Sequence, residues 1–470
     1  WRYLLLFITL FNVALFATST VSVASNVYLY ITIGSRIIRL PSLYSFMIVS
    51  SVIEMWQAGV YALSLLIATA SGVWPYIKLI IMFFILLIPP KYLTPKWRKR
   101  ILRVLDALGK WSLIDVYVAC LFINAFRITI PLGEHVALDM AVEPEYAFFA
   151  YVLATICSLV LTHILLYVHD ELEEPAIPEN GKMEQLYHHK FFYGTQRFVV
   201  TLFGKVLVPL IILVAIAGVI FGSAVDAFTF DWSDSLVGYA LQATGQPLTK
   251  DFSIFSLLVD IPQATYGQQS EAGIRTVQGT YALFVLVIPL LHLLVLFFVW
   301  VTPLTMQMQR GFYIFIEVLS AWAAMDVFIV ALIVALIQLQ PFADFLISGK
   351  CNGIEYLLRT FFPDGPDTCF TVKAELQSGS WILLVAVLVL LAVGYSVMYI
   401  CNKAIVERKD KEIKHLQKIG SMTDFYAPDR SLSRVTKAIV TTFKACKCIK
   451  FVDPTSGTSK TNRISTNSAI

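Results

Sequence analysis

The sequence predicts an all-α integral membrane protein with about eight transmembrane helices, arranged as two tandem four-helix repeats, and with a small extracytosolic β element in the first outer loop. Three observations predict this fold class: the composition, the number of long apolar segments and an internal duplication. Of the 470 residues, 57% are hydrophobic and 14% are charged. Soluble domains have roughly 45–50% apolar and about 25% charged residues. The composition is therefore that of a membrane protein.

Long apolar segments are the second observation, since a helix needs about 20 such residues to cross the hydrocarbon of a bilayer. Eight segments qualify: 3–24, 60–89, 111–131, 146–168, 204–225, 277–301, 320–340 and 379–401. The first carries no convincing signal-peptide cleavage pattern. We interpret it as the first transmembrane helix of a chain whose N-terminus precedes Trp1. Gly72 and Pro75 interrupt the second segment and predict a kink there.

Clustered lysine and arginine residues predict the orientation, because cytosolic loops of membrane proteins are enriched in these residues. The segment 91–110 and the tail 403–450 are both strongly basic. An even number of predicted spans separates them, so they lie on the same side. That side is expected to be cytosolic, as are both termini.

Cys351 and Cys369 lie between the last two predicted spans, on the side expected to be extracytosolic. Disulfides persist in oxidising compartments, and closing a loop of this size contributes about 3 kcal/mol in the chain-entropy model. We predict a Cys351–Cys369 disulfide, with two free thiols as the alternative.

An internal duplication is the third observation. Three motifs occur twice, in the same order. Ser42 to Ser45 corresponds to Ser253 to Ser256, and Ala58-Gly59 with Pro75 to Lys78 corresponds to Ala272-Gly273 with Pro289 to His292. Trp111 to Asp115-Val-Tyr117 corresponds to Trp322 to Asp326-Val-Phe328. Four spans per copy give both copies the same orientation, which makes this a parallel repeat. The predicted domains are a first membrane unit (1–169), a cytosolic linker (170–200), a second membrane unit (201–402) and a basic cytosolic tail with a disordered end (403–470).

Two shorter elements are also predicted. The β-branched and aromatic residues of 27–33 and 35–40, separated by Gly34, predict a short β-hairpin. Residues 403–419 predict a charged helix that extends the last span. Residues 430–451, with possible palmitoylation at Cys446 and Cys448, fit a helix on an anionic membrane surface, and ordinary positive-inside charge is the alternative.

The residues that carry a further resemblance are Ala58-Gly59, Pro75 to Leu79 and Trp111 to Tyr117, with their second-copy partners. This duplicated set of motifs resembles the paraquat-inducible protein A family. The resemblance extends over about 1–170 and 200–402. It implies a non-enzymatic membrane subunit that works with an elongated, lipid-conducting protein of the mammalian-cell-entry type. Family members are thought to load or unload lipid between a bilayer and that conduit.

This sequence departs from the bacterial members of the family, which carry cytosolic zinc ribbons before each four-helix unit. The segment 170–200 contains no cysteine, so we expect no metal and no cofactor. Together with the basic tail, this departure suggests a relative in the endoplasmic reticulum membrane, where the partner is a large bridge- or tunnel-like lipid-transfer protein. A bacterial inner membrane or a plasma membrane is the alternative location.

Four polar residues at membrane depth are the predicted lipid-binding site: Lys78, Asp115, His292 and Asp326. Charge inside a bilayer costs on the order of 2.5–3.5 kcal/mol, so such residues indicate function by default. The functional interpretation is a polar pair in each copy that contacts a lipid headgroup. The alternatives are that each aspartate caps its helix N-terminus and that Lys78 extends toward the interface.

Other polar and aromatic residues receive more ordinary interpretations. Trp111 and Trp322 are predicted to be interface anchors or contacts to a partner protein. His163, His169 and Asp170 are interpreted as an interfacial cluster, because their spacing matches no zinc signature.

The predicted function is that of a lipid-transfer subunit whose partners are membrane lipids and the conduit protein, with no nucleic acid. The sequence contains no nucleophile–base pair, metal cluster or phosphate loop that would indicate an enzyme. The alternative function is a small-molecule or ion transporter, which a parallel repeat also permits.

Overall fold

We analysed a computed structural model that describes residues 2–88, 92–133, 135–173, 198–200, 202–263, 271–304, 306–348, 371–418 and 449–451. Within these residues, seven helices are long and apolar enough to cross a membrane: Tyr3–Val21, Tyr61–Leu87, Tyr146–His169, Phe203–Ala224, Gly273–Val301, Met308–Ile337 and Ser378–Val406. The chain is therefore an integral membrane protein, as the composition predicted.

The first half of the chain alternates long helices with short strands. In chain order, its elements are α1 (Arg2–Val21), β1 (Ser25–Ile33), β2 (Arg36–Arg39), β3 (Tyr44–Phe46), α2 (Ile48–Gln57), α3 (Tyr61–Ile67), a π-helical segment (Ala68–Val73), α4 (Trp74–Leu87), α5 (Pro95–Ala107), a 3-10 turn (Gly109–Leu113), α6 (Ile114–Ala125), β4 (Ile128–Gly133), β5 (Val136–Pro144) and α7 (Tyr146–Glu173).

The second half follows a similar plan. Its elements are β6 (Phe198–Val200), α8 (Leu202–Ala224), β7 (Phe228–Asp231), α9 (Leu236–Ala243), β8 (Thr249–Phe252), α10 (Ile254–Asp260), a 3-10 turn (Ile261–Gln263), α11 (Glu271–Tyr281), a π-helical segment (Ala282–Val287), α12 (Ile288–Val301), α13 (Met306–Trp322), α14 (Met325–Ile337), α15 (Leu339–Ser348), β9 (Lys373–Leu376), α16 (Ser378–Lys418) and β10 (Ile449–Phe451).

The interruption predicted in the second span is a π-helical segment, and it occurs in both halves. Ala68–Val73 precedes α4, and Ala282–Val287 precedes α12. Pro75 and Pro289 are each the second residue of the α-helix that follows. Proline has no backbone N–H and fits the first turn of a helix. The wider π turn leaves room for a ring that a continuous α-helix would exclude.

The correspondence of the serine motifs fails in the structure. Ser42 lies before β3, whereas Ser253 is the N-cap of α10 and forms a capping box with Ser256. Each side chain of that box accepts a hydrogen bond from the other residue's backbone N–H. The two serine motifs therefore occupy different places in the repeated order of elements.

The predicted β-hairpin is confirmed and belongs to a larger sheet. β1 pairs antiparallel with β2, and Gly34 in the turn has a φ of +60°, a region that favours glycine. β1 also pairs with β5 over its full length, and the sheet order is β2-β1-β5-β4, with β3 paired to β1. In the second half, three strands form a sheet in the order β8-β7-β9.

A buried tyrosine–glutamate pair holds β1 to β5. Tyr30 is 0% exposed and Glu143 is 2% exposed. The Tyr30 hydroxyl donates a short hydrogen bond to the Glu143 carboxylate. Arg39 lies 3.6 Å from the same carboxylate. Burial and this hydrogen bond raise the pKa of Tyr30 well above its usual value.

The eight-span layout is not confirmed, because the third predicted span, 111–131, is not a long helix. α6 has 12 residues and is therefore about 18 Å long, which is well short of roughly 30 Å of hydrocarbon. β4 begins at Ile128, inside the predicted span. The prediction was wrong here because an apolar strand and an apolar helix are indistinguishable by hydrophobicity alone.

The seventh predicted span, 320–340, begins earlier than predicted. The apolar helical stretch is Met308–Ile337, with a break at 323–324 between α13 and α14. The last span continues without interruption to Lys418, which confirms the charged helical extension. Cys351, Cys369, Cys446 and Cys448 lie outside the described residues, as do most of the linker and of 430–451, so those predictions remain predictions.

Packing of Cα atoms divides the chain into two compact units. One comprises Trp1–Ala176, Ala215–His292 and Val318–Val389; the other comprises Ile177–Val214, Leu293–Glu317 and Leu390–Ile470. In the first unit, α1 packs on α4 and α7, and α6 packs on α14. In the second, β6 pairs with β10, and the Trp300 indole donates to the Lys205 carbonyl at 3.4 Å. The predicted domain boundaries remain predictions.

Replacing Tyr30 with phenylalanine tests the bond between β1 and β5. Because Glu143 then loses a buried donor, we expect the free energy of unfolding to fall by about 1–3 kcal/mol. Thermal unfolding of the full chain in detergent measures this as a lower midpoint. Tyr28→Phe is the control, because Tyr28 is partly exposed and its ring, which stacks under Arg39 at 3.5 Å, is kept. Equal midpoints for the two variants would contradict the prediction.

Candidate functional site

The two π-helical interruptions place Lys78 and His292 at equivalent positions. Each is the third residue after its proline, and they are 1% and 2% exposed. Among the described residues, the Lys78 Nζ and both ring nitrogens of His292 have no hydrogen-bond partner. Buried polar groups in proteins are normally paired. Both residues are therefore buried and have unused hydrogen-bonding capacity.

Asp106 and His163 lie beside Lys78 in the first unit. Lys78 is close enough to interact electrostatically with both residues. His163 Nδ1 lies 3.4 Å from an Asp106 carboxylate oxygen. The three side chains come from α4, α5 and α7 and form a buried lysine–aspartate–histidine cluster.

Gly109 provides the space that Lys78 occupies. A Cβ atom at position 109 would lie 2.7 Å from the Lys78 Nζ and 2.8 Å from a methyl carbon of Leu159. Both distances are shorter than real Cβ contacts. A side chain at position 109 would therefore require the ends of the Lys78 and Leu159 side chains to shift.

An ion pair lies beside His292 and joins the two halves of the sequence. The Lys110 Nζ lies 2.8 Å from an Asp326 carboxylate oxygen, and the two side chains are 7% and 20% exposed. The same ammonium donates to the Ala323 carbonyl at 3.0 Å. His292 is close enough to feel the Lys110 charge. This second lysine–aspartate–histidine cluster takes its lysine from the first half of the chain and its other two members from the second.

The aspartates of the repeated motif lie in the first turns of α6 and α14. Neither helix has a side-chain hydrogen bond at its N-cap, and the N-cap residues are Leu113 and Ala324. Both carboxylates lie where a helix dipole favours negative charge, as the capping alternative expects. Asp326 is paired with Lys110, whereas Asp115 makes no hydrogen bond or ion pair with the described residues.

Trp322 packs inside the first unit. Its indole stacks between His163, with ring centroids 6.1 Å apart, and Phe284, at 5.8 Å. Its Nε1 is buried and has no hydrogen-bond partner among the described residues. Both motif tryptophans, Trp111 and Trp322, are partly exposed. A partner contact for either tryptophan remains a prediction.

The structure groups the first copy differently from the expectation and adds a lysine to the second. Lys78 lies with Asp106 and His163, and His292 lies with Lys110 and Asp326; the expected pairs were Lys78 with Asp115 and His292 with Asp326. Sequence reasoning missed Asp106 and Lys110. Asp106 lies next to Leu105 and four residues after Leu102 on the buried face of α5, and a carboxylate on an apolar face is the signal that could have found it.

His163 and His169 make different contacts among the described residues, and the side chain of Asp170 lies outside them. His163 faces Asp106, whereas His169 Nε2 lies 3.1 Å from the Pro95 carbonyl. Within the described residues, no group of three or more potential metal ligands was found.

Comparison with known families gives one match. The family described as paraquat-inducible protein A matches residues 12–166 and 270–350, which together cover half of the chain. These two regions include both interruptions and both aspartates of the motif. Comparisons with curated proteins and with solved structures found no match.

Removing one partner of the Lys110–Asp326 pair should be costly. Lys110→Met leaves a mostly buried carboxylate without its cation, so we expect a loss of about 3 kcal/mol in the free energy of unfolding. The double variant Lys110→Met with Asp326→Leu should recover most of that loss. Lys250→Met is the control, because the Lys250–Asp260 pair is partly exposed and should contribute less than about 1 kcal/mol. A loss in the double variant as large as in Lys110→Met would contradict this account.

A methyl group at position 109 should displace Lys78. We expect Gly109→Ala to lower the thermal unfolding midpoint of the full chain, because the new Cβ meets both the lysine and Leu159. Gly279→Ala is the matched control, since nothing lies within 4 Å of a Cβ at that helical position and alanine favours a helix over glycine. If both variants unfold at the wild-type temperature, Gly109 is not required for this packing.

Proposed function

The chain belongs to the paraquat-inducible protein A family, and we propose that it is a non-enzymatic membrane subunit of a lipid-transfer complex. In this role it anchors a bridge- or tunnel-like lipid-transfer protein and passes lipids between that protein and the bilayer. The observation that carries the proposal is the matched burial of Lys78 and His292 immediately after the two π-helical interruptions.

Interrupted hydrophobic segments at corresponding places in two halves point to a binding site in membrane proteins. Here each interruption is followed by a buried nitrogen group that has no hydrogen-bond partner among the described residues. Such a group at membrane depth is costly unless something satisfies it. The phosphate and ester oxygens of a lipid are acceptors that an ammonium or imidazole donor can bind.

The helix α16 supports the anchoring role. It has 41 residues and is about 60 Å long, whereas a bilayer core is about 30 Å thick. Its charged C-terminal part, from Lys403 onward, therefore extends beyond the hydrocarbon. We propose that this extension is cytosolic, with both termini, in the endoplasmic reticulum membrane, and that the lipid-conducting partner binds on that side.

A small-molecule or ion transporter is the second candidate. The buried cluster of Lys78, Asp106 and His163 favours it, because titratable groups inside a bundle are typical of ion and proton pathways. Uptake of a soluble solute by liposomes that contain this chain alone would select the transporter. Lipid transfer that requires a second protein would select the lipid-transfer subunit.

Native purification of the full chain from its own membranes, followed by mass spectrometry, tests the proposal. We expect an elongated protein with a continuous apolar groove or tunnel to co-purify, together with phospholipid. The complex in donor liposomes should transfer a fluorescent phospholipid to acceptor vesicles. The double variant Lys78→Met with His292→Leu should slow this transfer by about tenfold or more, since a hydrogen bond to a charged group contributes about 1.5–3 kcal/mol.

Asn124→Ala is the control for the transfer assay. Asn124 is also buried, but its amide donates to the Cys120 carbonyl one turn earlier in α6. It should transfer lipid at the wild-type rate. An unchanged rate for the double variant, at equal amounts of reconstituted protein, would remove the lipid-binding role of Lys78 and His292.

A further inference from the structure

We propose that Asp115 and the Ser112 carbonyl bind a primary ammonium group of a lipid headgroup, the chemical class of phosphatidylethanolamine. The proposal rests on the proposed function and names the substrate class of the site. Its basis is an internal comparison: the equivalent carboxylate and carbonyl of the second half already hold an ammonium group.

The positions of Asp115 and Asp326 are equivalent in sequence, in place within the helix and in burial. Asp115 and Asp326 are each the second residue of a short helix that follows a tryptophan by the same spacing. From each tryptophan to each aspartate, the pattern of one partly exposed, three buried and one partly exposed residue is the same. The equivalent residues Tyr117 and Phe328 contact each other edge to face, with ring centroids 5.7 Å apart. Contact between equivalent residues indicates that α6 and α14 pack about a local two-fold axis.

In the second half, the Lys110 side chain occupies the ammonium site. Its ammonium contacts the Asp326 carboxylate at 2.8 Å and the Ala323 carbonyl at 3.0 Å. The pair of acceptors therefore consists of one side chain and one backbone oxygen, three residues apart. Two N–H···O contacts to one nitrogen require at least two N–H donors, and a primary ammonium has three.

In the first half, the corresponding acceptors are the Asp115 carboxylate and the Ser112 carbonyl. The Tyr151 hydroxyl, which has one hydrogen to donate, lies 3.1 Å from the Ser112 carbonyl and 3.3 Å from the Ser71 carbonyl. Tyr151 is also close enough to feel the Asp115 charge. Asp115 itself is partly exposed and has no hydrogen bond or ion pair among the described residues.

One sequence difference explains why Asp115 has no lysine partner corresponding to Lys110. In a two-fold arrangement, the contact of position 110 with Asp326 implies a reciprocal contact of position 321 with Asp115. Position 321 is alanine, which has no charge to offer. The first half therefore keeps the acceptors of an ammonium site, with a partly exposed carboxylate, without its internal ligand.

The geometry also selects among headgroups. An ethanolamine headgroup provides N–H donors to both oxygens, as Lys110 does. A choline headgroup carries the same charge but no N–H, and a glycerol headgroup has no cation. We therefore expect preference for phosphatidylethanolamine over phosphatidylcholine and phosphatidylglycerol with the same acyl chains.

Native mass spectrometry of the full chain in detergent, with equal amounts of these three lipids, measures the preference. We expect the wild-type chain to retain the ethanolamine lipid at least about tenfold better than the other two. Asp115→Asn keeps the shape of the side chain and removes its charge, so this variant should lose the preference. Thermal unfolding of the same samples checks that the variant is folded.

Ala321→Lys provides a second, independent variant. It introduces the ammonium that the second half already has, and this internal ligand should displace the ethanolamine lipid. Ala321→Met is the matched control, because it adds a similar side-chain length without charge, and it should retain the lipid preference.

The proposal is overturned if the wild-type chain binds the three lipids equally, if Asp115→Asn keeps the ethanolamine preference, or if a folded Ala321→Lys keeps it. These results are distinguishable from failure of the proposed function, because the binding measurement needs no partner protein and no transfer. A chain that selects the ethanolamine lipid but forms no lipid-transfer complex would retain the site and lose the proposed function.

Discussion

The ion pair between Lys110 and Asp326 is the interaction on which the rest of the site depends. It joins the loop before α6 to the start of α14, in a place where both side chains are mostly buried. A charge removed from water must be paired and hydrogen-bonded to be tolerated. The ammonium meets that condition with the Asp326 carboxylate and the Ala323 carbonyl. The two halves of the duplicated sequence are thereby held in one register, with Tyr117 against Phe328 and Trp322 against His163.

Duplication provides two copies of one backbone plan, and single side-chain differences make the copies unequal. Lysine at position 110 and alanine at position 321 give Asp326 a partner and leave Asp115 without one. Lysine at position 78 and histidine at position 292 place different donors after the same π-helical interruption. The two halves therefore carry different polar side chains at equivalent positions. Such a difference allows one half to hold the structure together while the other binds a ligand.

The duplicated interruption has a local cause. Proline in the middle of a helix removes a hydrogen bond and clashes with the preceding turn. Pro75 and Pro289 each follow a six-residue π-helical segment, so the ring meets a widened turn. In both halves, the π-helical segment occurs together with a buried polar side chain that lies three residues after the proline. We infer that the irregular backbone and the site are one structural feature.

The sequence by itself determined the membrane class, most of the long helices, the β-hairpin at Gly34, the placement of Lys78 and His292 within long apolar helices, and the motif aspartates near the start of their helices. Each of these follows from local composition or periodicity. Only the tertiary structure decided that α6 ends at Ala125 and that β4 follows, because both elements are apolar. It also decided that Lys78 lies beside Asp106 and His163, and that Lys110 reaches Asp326. Those contacts join residues far apart in the chain, and which buried charges meet depends on how the helices pack rather than on any neighbouring residue.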